Sequence, residues 1–209
     1  MTPARRRLLI GGLVAAGTAA IMLPLSDLLW PRRPPPDPVP WRQVTAQFDL
    51  IDQDGKVATV EDFAGQSLLV YFGYTFCPDM CPTALAVMAA ALDELGDPLA
   101  ARVQPILITV DPERDTPAVL ADYVKLFHPR LIGLTGTPQQ IARTASAFHV
   151  QYRRVATAEA AATDYLMDHT GFIFLIGDNR KIARVFGQFS APDEVAEALR
   201  RQLSAAPPP

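Results

Sequence analysis

Past residue 40 the chain alternates between short unbroken apolar runs and longer segments whose apolar positions recur every three or four residues, the mark of strands alternating with helices. Residues 68–74 are apolar or aromatic apart from Gly73, with no polar alternation, as expected of a strand buried on both faces. Leu85, Met88, Leu92 and Leu95 then recur at helical spacing. This helix is expected to start near residues 79–82, because a proline is tolerated in a first turn. Residues 103–110 read as a second buried strand, followed by a polar loop over 111–117. Thr116 or Asp115 can cap the next helix, with Val119, Leu120, Tyr123, Leu126 and Phe127 as its apolar positions. A short strand at 131–134 leads to a helix opened by Thr135–Pro138, with Ile141, Ala145 and Phe148 inward. Residues 150–155 read as a strand, 156–163 as an alanine-rich loop, and 170–176 as a strand. A turn at Asp178-Asn179 connects the last of these to an antiparallel partner over 181–186. A last helix over 193–203 puts Val195, Leu199 and Leu203 on one face. Ahead of all this, residues 48–57 form a hairpin pattern turning at Asp54-Gly55, and 59–63 a short capped turn.

That order predicts an α/β fold with right-handed crossovers and helices on both sheet faces. Both cysteines of the chain, Cys77 and Cys81, fall where the first buried strand runs into a helix. Open α/β sheets place their sites at that end of a strand. A thioredoxin-like fold with an N-terminal hairpin extension meets all of these requirements.

The N-terminus has a different pattern. Arg5, Arg6 and Arg7 precede an apolar run from Leu8 to about Leu25, interrupted only by small residues. A positive segment before an apolar one is the pattern of an export signal or membrane anchor, and the run is about the minimum length for a span. The arginine cluster also loosely resembles a twin-arginine export signal. No small-x-small cleavage site follows, which favours an uncleaved single anchor helix with the rest of the chain outside the cytoplasm. Pro31, Pro34, Pro35, Pro36 and Pro38 then predict an extended solvated spacer. The expected division is an anchor over 1–30, a proline-rich linker over 31–43, one domain over 44–204 and a proline-rich tail over 205–209.

Charge divides the chain in the same way. Residues 1–33 hold five arginines and one acid, so with a total of −3 the remainder carries −7. An acidic domain with no basic stripe argues against nucleic acid as a partner.

The candidate chemistry is the cysteine pair. In the first turn of a helix, unpaired N–H groups and the helix dipole both favour a thiolate. Two cysteines four residues apart there can bring their sulfurs to one side. A staple closing so small a loop restrains the unfolded chain little, which favours function over structure. The spacing is C-x-x-x-C, so the plain C-x-x-C redox motif is absent. Two thiolates bind a soft ion incompletely, and a third ligand is wanted from His128, His149 or His169. His128 reads as a loop residue and His149 as a helix-end residue. A Cys₂His set suits Cu(I) and also zinc with an open position, and spacing does not separate the two. Asp52 and Asp54 lack the later ligands of a calcium loop and read as a solvated turn.

Residues 71–82, YFGYTFCPDMCP, with 110–116, VDPERDT, 133–136, GLTG, and 164–169, DYLMDH, resemble the Sco/SenC family of copper proteins in the same order. The resemblance runs from about residue 44 to 203. It implies a thioredoxin-like fold, an N-terminal membrane anchor, and one copper held by Cys77, Cys81 and His169. It also implies that Asp111 is an acid near the metal or its exchange reaction. The implied role is assistance in metallating the dinuclear copper site of cytochrome c oxidase subunit II, with other periplasmic copper chaperones or thiol reductants as further partners. Met80 and Met167 lie beside the ligands, and either can pack as an ordinary apolar residue or touch the metal in transfer. Asp79 and Asp168 are further polar neighbours. The competing class is an enzyme, an extracytoplasmic thiol–disulfide reductase that uses Cys77 and Cys81 with no metal.

Overall fold

The computed structural model describes residues 40–156 and 165–205. The expected anchor, most of the expected linker, nearly all of the alanine-rich loop and the tail from residue 206 lie outside the described residues. Among the described residues no helix is long and apolar enough to cross a membrane.

Among the described residues nine strands and five α-helices follow one another. They are β1 (Asp49–Asp52), β2 (Val57–Thr59), β3 (Ser67–Gly73), α1 (Met80–Leu95), α2 (Asp97–Ala100), β4 (Val103–Thr109), α3 (Pro117–Val124), β5 (Ile132–Thr135), α4 (Pro138–Ala147), β6 (Tyr152–Ala156), β7 (Tyr165–His169), β8 (Phe172–Ile176), β9 (Ile182–Gly187) and α5 (Pro192–Ala205). Seven strands form one sheet in the order β2-β1-β5-β4-β3-β8-β9. β3, β4 and β5 are parallel, as strands joined by helical crossovers must be, and β8 and β9 return antiparallel. The N-terminal hairpin joins the sheet through an antiparallel pairing of β1 with β5. β6 and β7 form a separate antiparallel pair.

β3 lies in the interior of the sheet and all seven of its residues are buried. Its side chains alternate between faces. Phe72 turns to one face and meets Phe148, at the end of α4, and Phe174 of β8 edge-on at 5.1 and 6.1 Å between ring centroids. Tyr71 and Gly73 turn to the other face, toward α1. There Leu85, Met88, Leu92 and Leu95 are buried, as their spacing predicts, and α5 packs alongside.

Local chemistry sets the element ends. Thr137 and Gln140 form a reciprocal capping box at the start of α4, and Thr59 and Asp62 form another before β3. Thr116 caps α3, while Asp115 is buried and engaged elsewhere. Asp52 accepts hydrogen bonds from the Asp54 and Lys56 N–H groups and closes the hairpin turn, in which Gly55 has φ 79°. His149 follows α4 in the left-handed region, φ 53°, and meets Trp41 edge-on, which is the helix-end role expected for it. His128 accepts the Arg130 N–H on Nδ1.

Two expectations differ from the structure. Val119 and Leu126 are exposed: Val119 lies on the outer side of α3, whose buried side carries Leu120 and Val124, and Leu126 lies past the helix end at Val124. The segment 165–169, to which the pattern assigns no element between the loop at 156–163 and the strand at 170–176, is itself a strand, and it supplies the partner of β6.

Candidate metal centre

The site is built at the C-terminal end of β3. Tyr74 to Asp79 make the turn, the Cys77 N–H donates to the Tyr74 carbonyl, and α1 begins at Met80 with Asp79 as its N-cap residue. Cys81 therefore lies in the first turn of α1, fully buried, and Cys77 lies just outside it, half-buried. The Cys81 N–H, one of the unpaired donors of the helix start, points at Cys77 Sγ at 3.4 Å. Neither cysteine is in a disulfide.

His169 arrives from β7, 88 residues away in sequence. Its Nε2 lies 3.5 Å from Cys81 Sγ and its Nδ1 lies 3.1 Å from the Thr170 carbonyl. A carbonyl only accepts, so Nδ1 carries the proton and the lone pair of Nε2 faces the sulfurs. That is the tautomer a metal-binding imidazole requires. The ring is held edge-on by Tyr71 and Tyr74, at centroid distances of 6.0 and 5.9 Å.

The two sulfurs differ in protonation. Hydrogen bonding from Cys81, with further bonds from the Asp79 and Cys81 backbone N–H groups, pulls the Cys77 thiol far below its ordinary range against the opposing effect of burial. Cys81 is pushed up, because it donates to Cys77 and is buried. The pair is a half-buried thiolate beside a buried thiol. Burial and the neighbouring cysteines also raise Tyr71, so its hydroxyl stays protonated and faces Cys81 Sγ at 4.0 Å.

These three side chains fit a soft metal ion. With bonds of about 2.3 Å to sulfur and 2.0–2.1 Å to nitrogen at a near-tetrahedral angle, an S···N pair is separated by about 3.6 Å, and Cys81 and His169 stand at 3.5 Å. Among the described residues no three His, Cys, Asp or Glu side chains are already gathered around one point. Cys77, Cys81 and His169 meet pairwise, so closing on an ion takes a small side-chain adjustment.

Asp111 does not touch the sulfurs. It is buried, its Oδ1 accepts the Tyr165 hydroxyl at 2.7 Å, and its Oδ2 accepts Arg114 Nε. Asp168, on the other face of β7 from His169, pairs with Arg153 at 2.9 Å. Met80 Sδ accepts the Gln188 side-chain N–H at 3.1 Å, and Met167 is packed against the core. Sequence reasoning passed over Tyr71, Gly73 and Tyr165. The available signal was alternation: 71 and 73 share one face of β3, and 165 and 169 share one face of β7.

The SCO1/SenC family profile matches residues 37–204. A SCO2-like protein of Rickettsia felis is 40% identical over 158 residues, 76% of each chain. The mitochondrial SCO2 homolog of Bos taurus is 37% identical over 205 residues, 96% of this chain and 76% of that one. Among solved structures, Arabidopsis thaliana ScoI with copper bound superposes with a TM-score of 0.71 at 36% identity, covering 78% of this chain and 99% of that one. Bradyrhizobium japonicum ScoI with copper bound gives 0.69 at 39% identity, covering 76% and 99%. A profile match over most of the length, relatives at this identity and the shared α/β fold together establish that the chain belongs to the SCO1/SenC family.

Proposed function

We propose that this protein is a membrane-anchored, extracytoplasmic copper chaperone that binds one copper ion through Cys77, Cys81 and His169. The observation that carries this reading is the free lone pair of His169 Nε2, held 3.5 Å from Cys81 Sγ across the Cys77–Cys81 turn. Two soft sulfurs and an imidazole favour copper, and the copper-bound relatives support the same choice. Copper is the cargo. Cys77, half-buried and already a thiolate, meets the incoming ion first. Cys81 then loses its proton to solvent as it ligates, and neutral His169 completes the set. Delivery runs in reverse, with thiolates of the recipient replacing these ligands one at a time, so no electron is exchanged. The family resemblance supports the dinuclear copper site of cytochrome c oxidase subunit II as the recipient. The pattern of residues 1–30 and the prolines of 31–43 support a tether that holds the domain outside the cytoplasmic membrane.

A titration of the reduced, metal-free chain with Cu(I) and Cu(II) against competing chelators tests the reading. Tight one-to-one binding that each of Cys77→Ser, Cys81→Ser and His169→Ala weakens is expected, with affinity falling as pH falls. Full Cu(II) affinity in His169→Ala would remove it as a ligand.

The half-buried Cys77 thiolate beside the Cys81 thiol also favours a second reading, a thiol–disulfide reductase that keeps the recipient's cysteines reduced. Reductase activity is indifferent to His169→Ala, whereas copper transfer is not.

A further inference from the structure

The hairpin that carries His169 is not hydrogen-bonded into the seven-stranded sheet. It is joined to β8 through Thr170 and Gly171, and side chains must fix where its imidazole lies. Along β7, Tyr165, Met167 and His169 face the same way. Tyr165, at the far end, is only 6% exposed. Its hydroxyl donates to Asp111 Oδ1 at 2.7 Å, and its carbonyl accepts Arg114 Nη1 at 3.0 Å. The Arg114 guanidinium, itself bonded to Asp111 Oδ2, lies 3.7 Å from the centre of the Tyr165 ring. Arg154 of β6 lies 3.8 Å from the same ring and is paired with Glu113.

Asp111, Glu113 and Arg114 all belong to the loop between β4 and α3. The same loop also grips the cysteine turn. Asp115, fully buried, accepts the Thr75 N–H at 3.1 Å and the Thr75 hydroxyl at 2.6 Å, two residues before Cys77, and the Thr109 hydroxyl at 2.6 Å. One short segment is therefore bolted to both halves of the site, to the cysteine turn through Asp115 and to the histidine hairpin through Asp111 and Arg114.

We propose that this loop sets the separation between His169 and the two cysteines, and that Tyr165 is the positioning residue through which it holds the histidine hairpin. The inference rests on the reading of Cys77, Cys81 and His169 as one metal site. It gives Asp111 a task at a distance, since both of its carboxylate oxygens are engaged by the latch and neither is turned to the sulfurs. Met167, midway along β7, packs against the core. Loosening the Tyr165 end therefore frees the hairpin to pivot about Thr170-Gly171, and the imidazole leaves the sulfurs while the cysteine turn stays in place.

The test uses the full chain and Tyr165→Phe, which keeps the ring and its stacking on both arginines and removes only the hydroxyl. In the reduced, metal-free proteins, amide hydrogen exchange in β6 and β7 is expected to be about tenfold faster in the variant, as follows from losing a hydrogen bond to a charged acceptor. The amides of β3, β4 and β8 are expected to be unchanged. In the Cu(II)-loaded proteins, the nitrogen hyperfine splitting of the electron paramagnetic resonance spectrum is expected to weaken or divide into two populations, while the sulfur-to-copper absorption persists. Unchanged exchange in the hairpin overturns the latch. Faster exchange with an unaltered nitrogen signal overturns the positioning role and leaves only a structural contact. A wild-type protein with no nitrogen signal removes His169 from the metal and overturns the inference together with the reading beneath it, whereas a wild-type signal that Tyr165→Phe leaves intact overturns the inference alone.

Discussion

Gly73 is the last residue of β3, and its missing side chain determines how closely the strand approaches the cysteine helix. A Cβ added there would lie 2.8 Å from Cε1 and 3.2 Å from Cδ1 of Tyr71, and 3.0 Å from Cys81 Sγ. Carbon atoms pack at about 3.5–4.0 Å, so the nearest contact falls short by about 0.7 Å. The Tyr71 ring cannot yield easily, because it is fully buried, lies edge-on to His169 and directs its hydroxyl at Cys81. Gly73→Ala should therefore destabilise the reduced, metal-free protein by about 2 kcal/mol, within the range of roughly 1–3 kcal/mol for overpacking a tight core. The strain should also push Cys81 Sγ away from His169 and weaken metal binding. Urea denaturation with chelator present reads the first effect as a lower midpoint at unchanged slope. Tyr71→Leu in the Gly73→Ala background should recover part of the loss, since the two sites share one contact and should not be additive. Gly55 is a useful contrast: its φ is 79° and nothing lies within 4 Å of an added Cβ, so Gly55→Ala should cost about 1 kcal/mol through the backbone alone and spare the site. A Gly73→Ala protein within about 0.5 kcal/mol of wild type, as for an ordinary surface substitution, would refute the steric account.

Three further outcomes follow from the same structure. Because hydrogen bonds from the Cys81 thiol and from backbone N–H groups hold the Cys77 thiol well below its ordinary range, alkylation of the reduced, metal-free protein should occur first at Cys77, with a rate nearly independent of pH between about pH 6 and pH 8; a rate rising through the normal thiol range would contradict this. A depressed folded pKa adds stability that is complete above the unfolded thiol's pKa and is lost as pH falls through the folded value, so the urea-midpoint advantage of wild type over Cys77→Ser should grow from about pH 5 to about pH 9. Phe148 is fully buried between Phe72 and Phe174 on the face of β3 opposite the cysteines. Phe148→Ala should cost about 3–5 kcal/mol in thermal or urea unfolding, yet leave the stoichiometry of metal binding unchanged in the folded fraction.

The elements that could be read from the sequence are those whose burial is encoded locally. β3 and β4 are unbroken apolar runs because both faces of an interior parallel strand are covered. The apolar positions of α1 recur at helical spacing because one side of it rests on the sheet. Boundaries slipped where a pattern outran its element, as at Leu126, which continues the spacing of α3 but lies beyond its end and is exposed. β7 gave no strand signal, because it is short and only half-buried, and it pairs with β6 instead of entering the main sheet. The pairing of β1 with β5 joins segments about 80 residues apart, and no local period reports such a contact.

The site divides along the same line. Cys77 and Cys81 are four residues apart at a helix start, so their juxtaposition and the preference for a thiolate follow from local geometry. His169 had no such signal, and only its place within a family motif singled it out from His128 and His149. The structure supplies the physical reason for that choice. Its Nδ1–H is occupied by the carbonyl of the next residue, Tyr71 of β3 and Tyr74 of the cysteine turn frame its ring, and its Nε2 is left facing sulfur. His128, by contrast, accepts a backbone N–H on Nδ1 and directs Nε2 toward Asp93, which uses up the ring. The acidic residues divide in the same manner. Asp111 and Asp115 lie in one polar loop of the sequence, and nothing in their spacing assigns them different tasks. Folding turns Asp115 to Thr75 and Asp111 to Tyr165, so that a loop contributing no ligand of its own joins the local half of the site to the remote half. The cysteines are brought together by the local geometry of one helix start, whereas the histidine joins them only when β7 is docked. The third ligand is thus the part of this site that depends on tertiary structure, and the residues that dock β7 govern it as directly as His169 itself.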